Sequence, residues 1–243
     1  MNRSILLLTL LLTTFAAGWG QHTTASPFKR ELSEPSYGLS KIKGLITREQ
    51  QKQAPSFGNR PLPSGVYDSL SLPEKFTYAM IYPETYLQNC SAYPGQLFKN
   101  GKLFGRLSAG FNENTMSSRQ RAFLRENREL VMKLIRQHVD ESHIMGLNYK
   151  EAIVEIKGWE MIPYLIGYYN KDKNDRDLLT TLMSLMKSGA YDAFVNTTYY
   201  DQLYGKNSRY LSAIDYTDSI GQFLLKTAAA YYKKEKAGSK HNH

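Results

Sequence analysis

The chain contains little cysteine and little histidine. It has one cysteine, Cys90, and five histidines in 243 residues. A single cysteine excludes an internal disulfide framework and any cysteine-rich zinc or iron–sulfur site. Only His138 and His143 lie inside the part of the chain that we expect to fold. Histidine-based catalysis would therefore have to use one of these two residues, and a cysteine nucleophile would have to be Cys90.

Several sequence motifs that bind cofactors are missing. The chain has no glycine-rich phosphate loop, no dinucleotide-binding fingerprint and no Gly-x-Ser-x-Gly elbow. The segment from His138 to His143 concentrates possible metal ligands, but it lacks the His-Glu-x-x-His spacing. We therefore predict no cofactor and no metal site, and we interpret His138 as a core histidine because it lies on an apolar helical stripe.

Residues 1–20 have the pattern of a secretory signal peptide. Arg3 supplies the positive charge, an apolar run follows, and small residues permit cleavage after Gly18 or Gly20. The apolar run is shorter than the roughly 20 residues that a membrane-spanning helix needs. We therefore expect an exported protein, periplasmic or extracellular, with no stable transmembrane segment after cleavage.

The charge of the chain favours acidic partners outside the cell. The formal net charge is +9 at pH 7. A basic exported protein suits anionic glycans and other acidic surfaces of the envelope. We expect the partner to be a protein or an anionic glycan of the cell envelope and not an intracellular nucleic acid.

Composition divides the rest of the chain into three parts. Residues 21–70 are rich in Pro, Gly and Ser and predict a flexible leader, within which 39–53 could form a short helix. Residues 71–232 predict a helical domain, which begins at a Ser71–Glu74 capping box. Residues 233–243 predict a basic, disordered tail.

The domain is predicted to be mainly α, either a helical bundle or a short αα-repeat array, with one small β-hairpin. Asn100-Gly101 between two Leu-Phe pairs predicts the hairpin turn. Apolar residues at helical spacing predict the helices. These are expected after Ser71, after Ser117, after Asn148 with an interruption at Gly158 and Pro163, after Asp175, over 190–204 and over 215–232.

A repeat is suggested by three Tyr-Tyr pairs, at 168–169, 199–200 and 231–232. A glycine precedes each pair by ten residues, at Gly158, Gly189 and Gly221. A period in the low thirties is typical of stacked helical hairpins, although coincidence among many tyrosines and glycines is the alternative.

Two sets of residues are candidates for binding. Arg121, Arg125, Arg128 and Arg136 fall on one side of a helical wheel, where they could bind phosphates or carboxylates. The alternative is a solvated face with local ion pairs such as Arg125–Glu129. Tyrosines near helix ends could stack on sugars or peptides; they are Tyr168, Tyr169, Tyr199, Tyr200 and Tyr204.

A pair of carboxylates, Glu151 and Glu155, lies one helical turn apart, and we interpret it as a solvated face.

The leading hypothesis is an exported, non-catalytic binding or structural protein of the cell envelope, which uses the basic, Tyr-rich helical surface. The alternative is an envelope hydrolase that acts on peptidoglycan or another glycan, with Cys90, His138 or His143 involved.

Overall fold

A computed structural model describes residues 32–52, 58–87, 101–108, 111 and 113–239. The α-helices in these residues are α1 Leu39–Gln51, α2 Ser64–Asp68, α3 Leu72–Ile81, α4 Ser118–Glu126, α5 Arg128–Ser142, α6 Leu147–Glu155, α7 Ile162–Lys171, α8 Asp177–Ser188, α9 Asp192–Val195, α10 Thr198–Tyr204 and α11 Asp218–Ser239. A 3-10 helix, Trp159–Met161, joins α6 to α7. The strands are β1 Thr85–Tyr86, β2 Lys102–Phe104, β3 Asn114–Thr115 and β4 Ala213–Asp215.

The mainly α class is confirmed, and α8 is the central helix. It contacts α6, α7, α9 and α11, and it also touches β2. Leu178, Leu179, Leu182 and Met183 of α8 are fully buried. A helix that is apolar on nearly all sides is typical of one surrounded by other helices.

Short-range signals in the sequence account for several helix ends. Ser71 and Glu74 form the predicted capping box at α3. Gly158 and Pro163 coincide with the predicted interruption between α6 and α7. The single helix predicted after Ser117 is instead two helices, α4 and α5, because the helical backbone is interrupted at Asn127. The side-chain amide of Asn127 donates a hydrogen bond to the Phe123 carbonyl oxygen at the end of α4.

The strands pair over long sequence distances. Strands β2 and β4 are antiparallel and place Leu103 opposite Ile214. Strands β1 and β3 are also antiparallel. Gly101 has the positive φ that the predicted turn requires. The other predicted arm, 96–98, lies outside the described residues, so the described partner of β2 is β4.

The three Gly/Tyr-Tyr units do not occupy equivalent places. Gly189 ends α8, whereas Gly221 lies inside α11. The spacing therefore reflects coincidence and not a repeat, and the domain is a helical bundle. Gly189 has a packing role instead, because a Cβ there would lie 2.0 Å from the Tyr231 hydroxyl oxygen.

Much of the predicted leader packs onto the bundle. Ser33 is buried, and its backbone exchanges two hydrogen bonds with the Asn148 side chain, at 2.9 and 2.8 Å. Ile42 of α1 is buried with Leu62 in a second apolar cluster. Residues 32–52 and 58–70 thus differ from the flexible leader that we expected, because long-range contacts replace the missing local periodicity.

The last helix is longer than predicted. Residues 233–239 continue α11, so the predicted tail is helical over that length. The described residues include no helix with the length and apolar character that crossing a membrane requires.

A buried ion pair joins α6 to the start of α8. Lys150 Nζ lies 2.8 and 2.6 Å from the two carboxylate oxygens of Asp175. Lys150 is 3% exposed and Asp175 is 5% exposed. Burial raises the pKa of Asp175, and the Lys150 ammonium partly offsets that rise. Each charge thus depends on the other for compensation.

Asn148→Ala should release the segment around Ser33. The change leaves buried backbone groups of Ser33 without partners, and we expect a loss of about 2 to 3 kcal/mol in the free energy of unfolding. Urea unfolding and hydrogen exchange of residues 33–38 measure the two effects. Asn170→Ala, at an exposed position on α7, is the control and should change neither.

Lys150→Met should lower the free energy of unfolding by about 3 to 5 kcal/mol, because Asp175 keeps a buried, uncompensated charge. The double variant Lys150→Met/Asp175→Leu should recover most of this loss. Urea unfolding of both variants measures the change in the free energy of unfolding, and Lys171→Met, at an exposed position, is the control. A single variant as stable as the wild type would contradict the assignment.

Candidate functional site

The predicted arginine row faces other helices. Arg121 and Arg125 on α4 both pair with Glu155 of α6. Arg121 also donates to the Met116 carbonyl oxygen at 3.2 Å and to the Thr115 hydroxyl at 3.0 Å. The Glu155 side chain is only 11% exposed. We call Arg121, Arg125 and Glu155 the α4–α6 clasp.

The other two arginines bind the turn after α6. Arg128 donates to both carboxylate oxygens of Glu160 at 2.7 Å, and this hydrogen bonding raises the pKa of Arg128. Arg136 donates to the Glu160 carbonyl oxygen at 3.1 Å. All four arginines therefore have partners within the chain, although Arg125 and Arg136 are exposed, and the row is less open to anions than the helical wheel suggested.

The two histidines have structural surroundings. His138 is 8% exposed and its ring packs edge-on against Tyr149, with centroids 5.6 Å apart, so it is the core histidine that we predicted. His143 is exposed and caps α5 with a positive φ. Among the described residues, no three His, Cys, Asp or Glu side chains are grouped to hold a metal. The third catalytic candidate, Cys90, lies outside the described residues.

The tyrosines named as binding candidates serve three different contacts. Tyr168 donates to the His143 carbonyl oxygen at 2.5 Å and accepts from the Met145 amide. Tyr199 packs against Phe223, with ring centroids 5.7 Å apart. Tyr200 lies 5.2 Å from the ring of Tyr204. These three residues therefore do not form one shared surface.

A large cavity opens elsewhere, between α6, α8, α10 and the segment around β3. It encloses about 850 Å³. Its apolar and aromatic lining includes Leu87, Phe111, Met116, Val154, Tyr204 and Tyr210. The volume and the mixed lining are typical of a small-molecule site.

Six charged side chains line this cavity, three of each sign. The cations are Arg106, Arg121 and Lys187, and the anions are Glu113, Glu151 and Glu155. Arg121 and Glu155 pair with each other through the α4–α6 clasp. Their charges therefore compensate within the wall.

The remaining cations lie against tyrosine rings. Lys187 Nζ is 4.5 Å from the ring centroid of Tyr204, and the Arg106 guanidinium carbon is 5.9 Å from that of Tyr210. Burial, and then the charge of Arg106, lowers the pKa of Lys187. Arg106 and Lys187 line the same cavity, where their positive charges repel each other.

The glutamate pair that we interpreted as a solvated face lies in the cavity wall. Glu151 and Glu155 both line it, one turn apart on α6. The helical spacing was correct, but the spacing alone does not reveal what packs over the face. Arg121 and Arg125 of α4 cover Glu155, and the segments 105–107 and 113–116 line the same cavity.

Sequence reasoning missed most of the cavity. Arg106, Lys187 and Tyr210 come from separate segments, and no local motif joins them. Of the five tyrosines predicted near helix ends, Tyr204 alone lines the cavity.

Comparisons with protein-family models, curated proteins and solved structures give no match to this chain. The function must therefore be argued from the cavity and its side chains.

Glu155→Gln should weaken the α4–α6 clasp and lower the free energy of unfolding by about 1 to 3 kcal/mol, because two guanidinium groups lose their carboxylate. Glu129→Gln is the matched control, since Glu129 is exposed and is the partner that helical spacing suggested for Arg125. Urea unfolding at low salt compares the two. A larger loss in the Glu129 variant would contradict the assigned ion pairs.

Proposed function

We propose that this protein is an exported, non-catalytic binding protein of the cell envelope, and that its ligand occupies the cavity. The observation that carries the proposal is the cavity itself, about 850 Å³ with charged and aromatic walls. Sites for small ligands and glycan units have this size and this combination of groups. The proposal moves the binding surface from the arginine row to the cavity.

The chemistry of the walls supports binding over catalysis. The α4–α6 clasp occupies Glu155 with two guanidinium groups. His138 packs against Tyr149 in the core, and His143 caps α5; neither lines the cavity. Charged and hydroxyl groups that are held by packing can orient a ligand through hydrogen bonds.

A hydrolase remains the second candidate, because Glu151 and Glu155 both line the cavity. Glycoside hydrolysis uses two carboxyl groups on either side of the scissile bond, at least about 5 Å apart. Here the two glutamates share one helix face, and hydrolysis would require Glu155 to leave the clasp. Incubation with soluble envelope glycan fragments, followed by chromatography, would detect cleavage, which Glu151→Gln should abolish.

Val154→Trp should block ligand binding, because the indole would occupy space in the cavity. We expect at least about tenfold weaker affinity for the soluble glycan fragments that bind the wild type, as measured by calorimetry. Gln222→Trp, exposed on α11 and outside the cavity, is the control and should bind normally. Normal binding by a folded Val154→Trp protein would overturn the proposed site, and so would the absence of binding by the wild type.

A further inference from the structure

Two cations of the cavity have no carboxylate partner among the residues that the structure describes. Arg106 and Lys187 contact tyrosine rings, whereas Arg121 in the same wall pairs with Glu155. Both residues are exposed, so they lie at the open side of the cavity. A cation that faces a ligand cavity without a counter-ion is available to a ligand anion.

The two cations line the same cavity. The charge of Arg106 contributes to the lowered pKa of Lys187, after the larger effect of burial. Bringing two like charges together is unfavourable, and an anion between them would remove that repulsion. The arrangement therefore favours the state in which an anion is bound.

A hydroxyl group lies beside the same pair. The Tyr204 hydroxyl oxygen is buried and makes no hydrogen bond of normal geometry to the described residues, although the Ser184 side chain is near enough to lower the pKa of Tyr204 slightly against the larger rise from burial. Burial raises the pKa of Tyr204, so the phenol stays protonated and keeps its proton to donate. Its ring lies under Lys187 Nζ, and Arg106 acts on it electrostatically. The hydroxyl, the ammonium and the guanidinium are three donors suited to one oxyanion.

We infer that Arg106, Lys187 and Tyr204 form an anion subsite that binds the carboxylate of an acidic sugar unit. The inference rests on the proposed function, because it assigns the ligand class of the same cavity. Glu113 and Glu151 in the cavity wall disfavour a second negative charge on the ligand. The Glu113 carboxylate can accept hydrogen bonds from hydroxyl groups, so a hydroxyl-rich monocarboxylate fits better than a phosphate.

The direct test compares two probes that differ in one group. A uronic-acid disaccharide carries the carboxylate, and its carboxyl-reduced counterpart is neutral. The wild type should bind the acid at least about tenfold more tightly in calorimetry at low salt, with the preference falling as salt rises. Competition by inorganic phosphate at lower concentration than the acid would overturn the assignment to a carboxylate. Tighter binding of a short peptide with a free carboxyl end would overturn the assignment to a sugar.

Variants then locate the subsite. Lys187→Met and Arg106→Gln should each weaken binding of the acid about tenfold and leave the neutral sugar unchanged, because only the acid uses these donors. Lys187→Arg should restore part of the affinity. Lys226→Met, exposed on α11, is the control for net charge and should behave as the wild type. Equal loss for both sugars would show a merely structural effect and overturn the subsite.

Tyr204→Phe distinguishes a role of the Tyr204 hydroxyl in ligand binding from a role in the stability of the fold. It removes a buried hydroxyl that has no hydrogen-bond partner of normal geometry, so the melting temperature should stay the same or rise while affinity for the acid falls several-fold.

Different results would contradict the subsite and the proposed function. If Val154→Trp blocks both sugars but the subsite variants change nothing, only the subsite is wrong. If the wild type binds neither sugar, the proposed function and the subsite are both contradicted.

Discussion

The α4–α6 clasp is the interaction on which the cavity wall depends. Glu155 is nearly buried, and a buried carboxylate requires compensation by positive charge and hydrogen bonds. Arg121 and Arg125 provide this compensation from α4, so they fix α4 against α6. Arg121 also reaches the backbone of Met116, next to β3. One ion-pair cluster therefore joins the two sides that enclose the cavity.

Paired charges recur at several buried carboxylates among the residues that the structure describes. Lys150 and Asp175 join α6 to α8, and Glu84 binds Arg119 at 2.9 Å while accepting a hydrogen bond from Tyr78. The cavity differs from these buried pairs. Its cations Arg106 and Lys187 have no carboxylate partner among the described residues, and they line the cavity where we propose that a ligand binds.

The sequence predicted features that depend on neighbouring residues. The Ser71 cap, the interruption near Gly158 and the core position of His138 are local, and the structure confirms them. The partners of the arginines were not predictable in this way, because Arg121 and Glu155 are far apart in the chain. The cavity combines several such distant segments, and Ser33 finds its partner Asn148 more than a hundred residues away.

The helical wheel did not predict the partners of the arginine row, for a physical reason. A wheel assigns a side to each residue but not the neighbour on that side, and long arginine side chains reach partners on adjacent helices. Ion pairing then compensates the charges of Arg121, Arg125 and Arg128, which were expected to bind ligands. In the cavity, the described cations without a carboxylate partner are Arg106 and Lys187, whose local sequence shows no charge pattern. The proposed anion subsite is thus indicated less by where cations are dense in the sequence than by where the described residues supply no carboxylate partner to cations of the cavity.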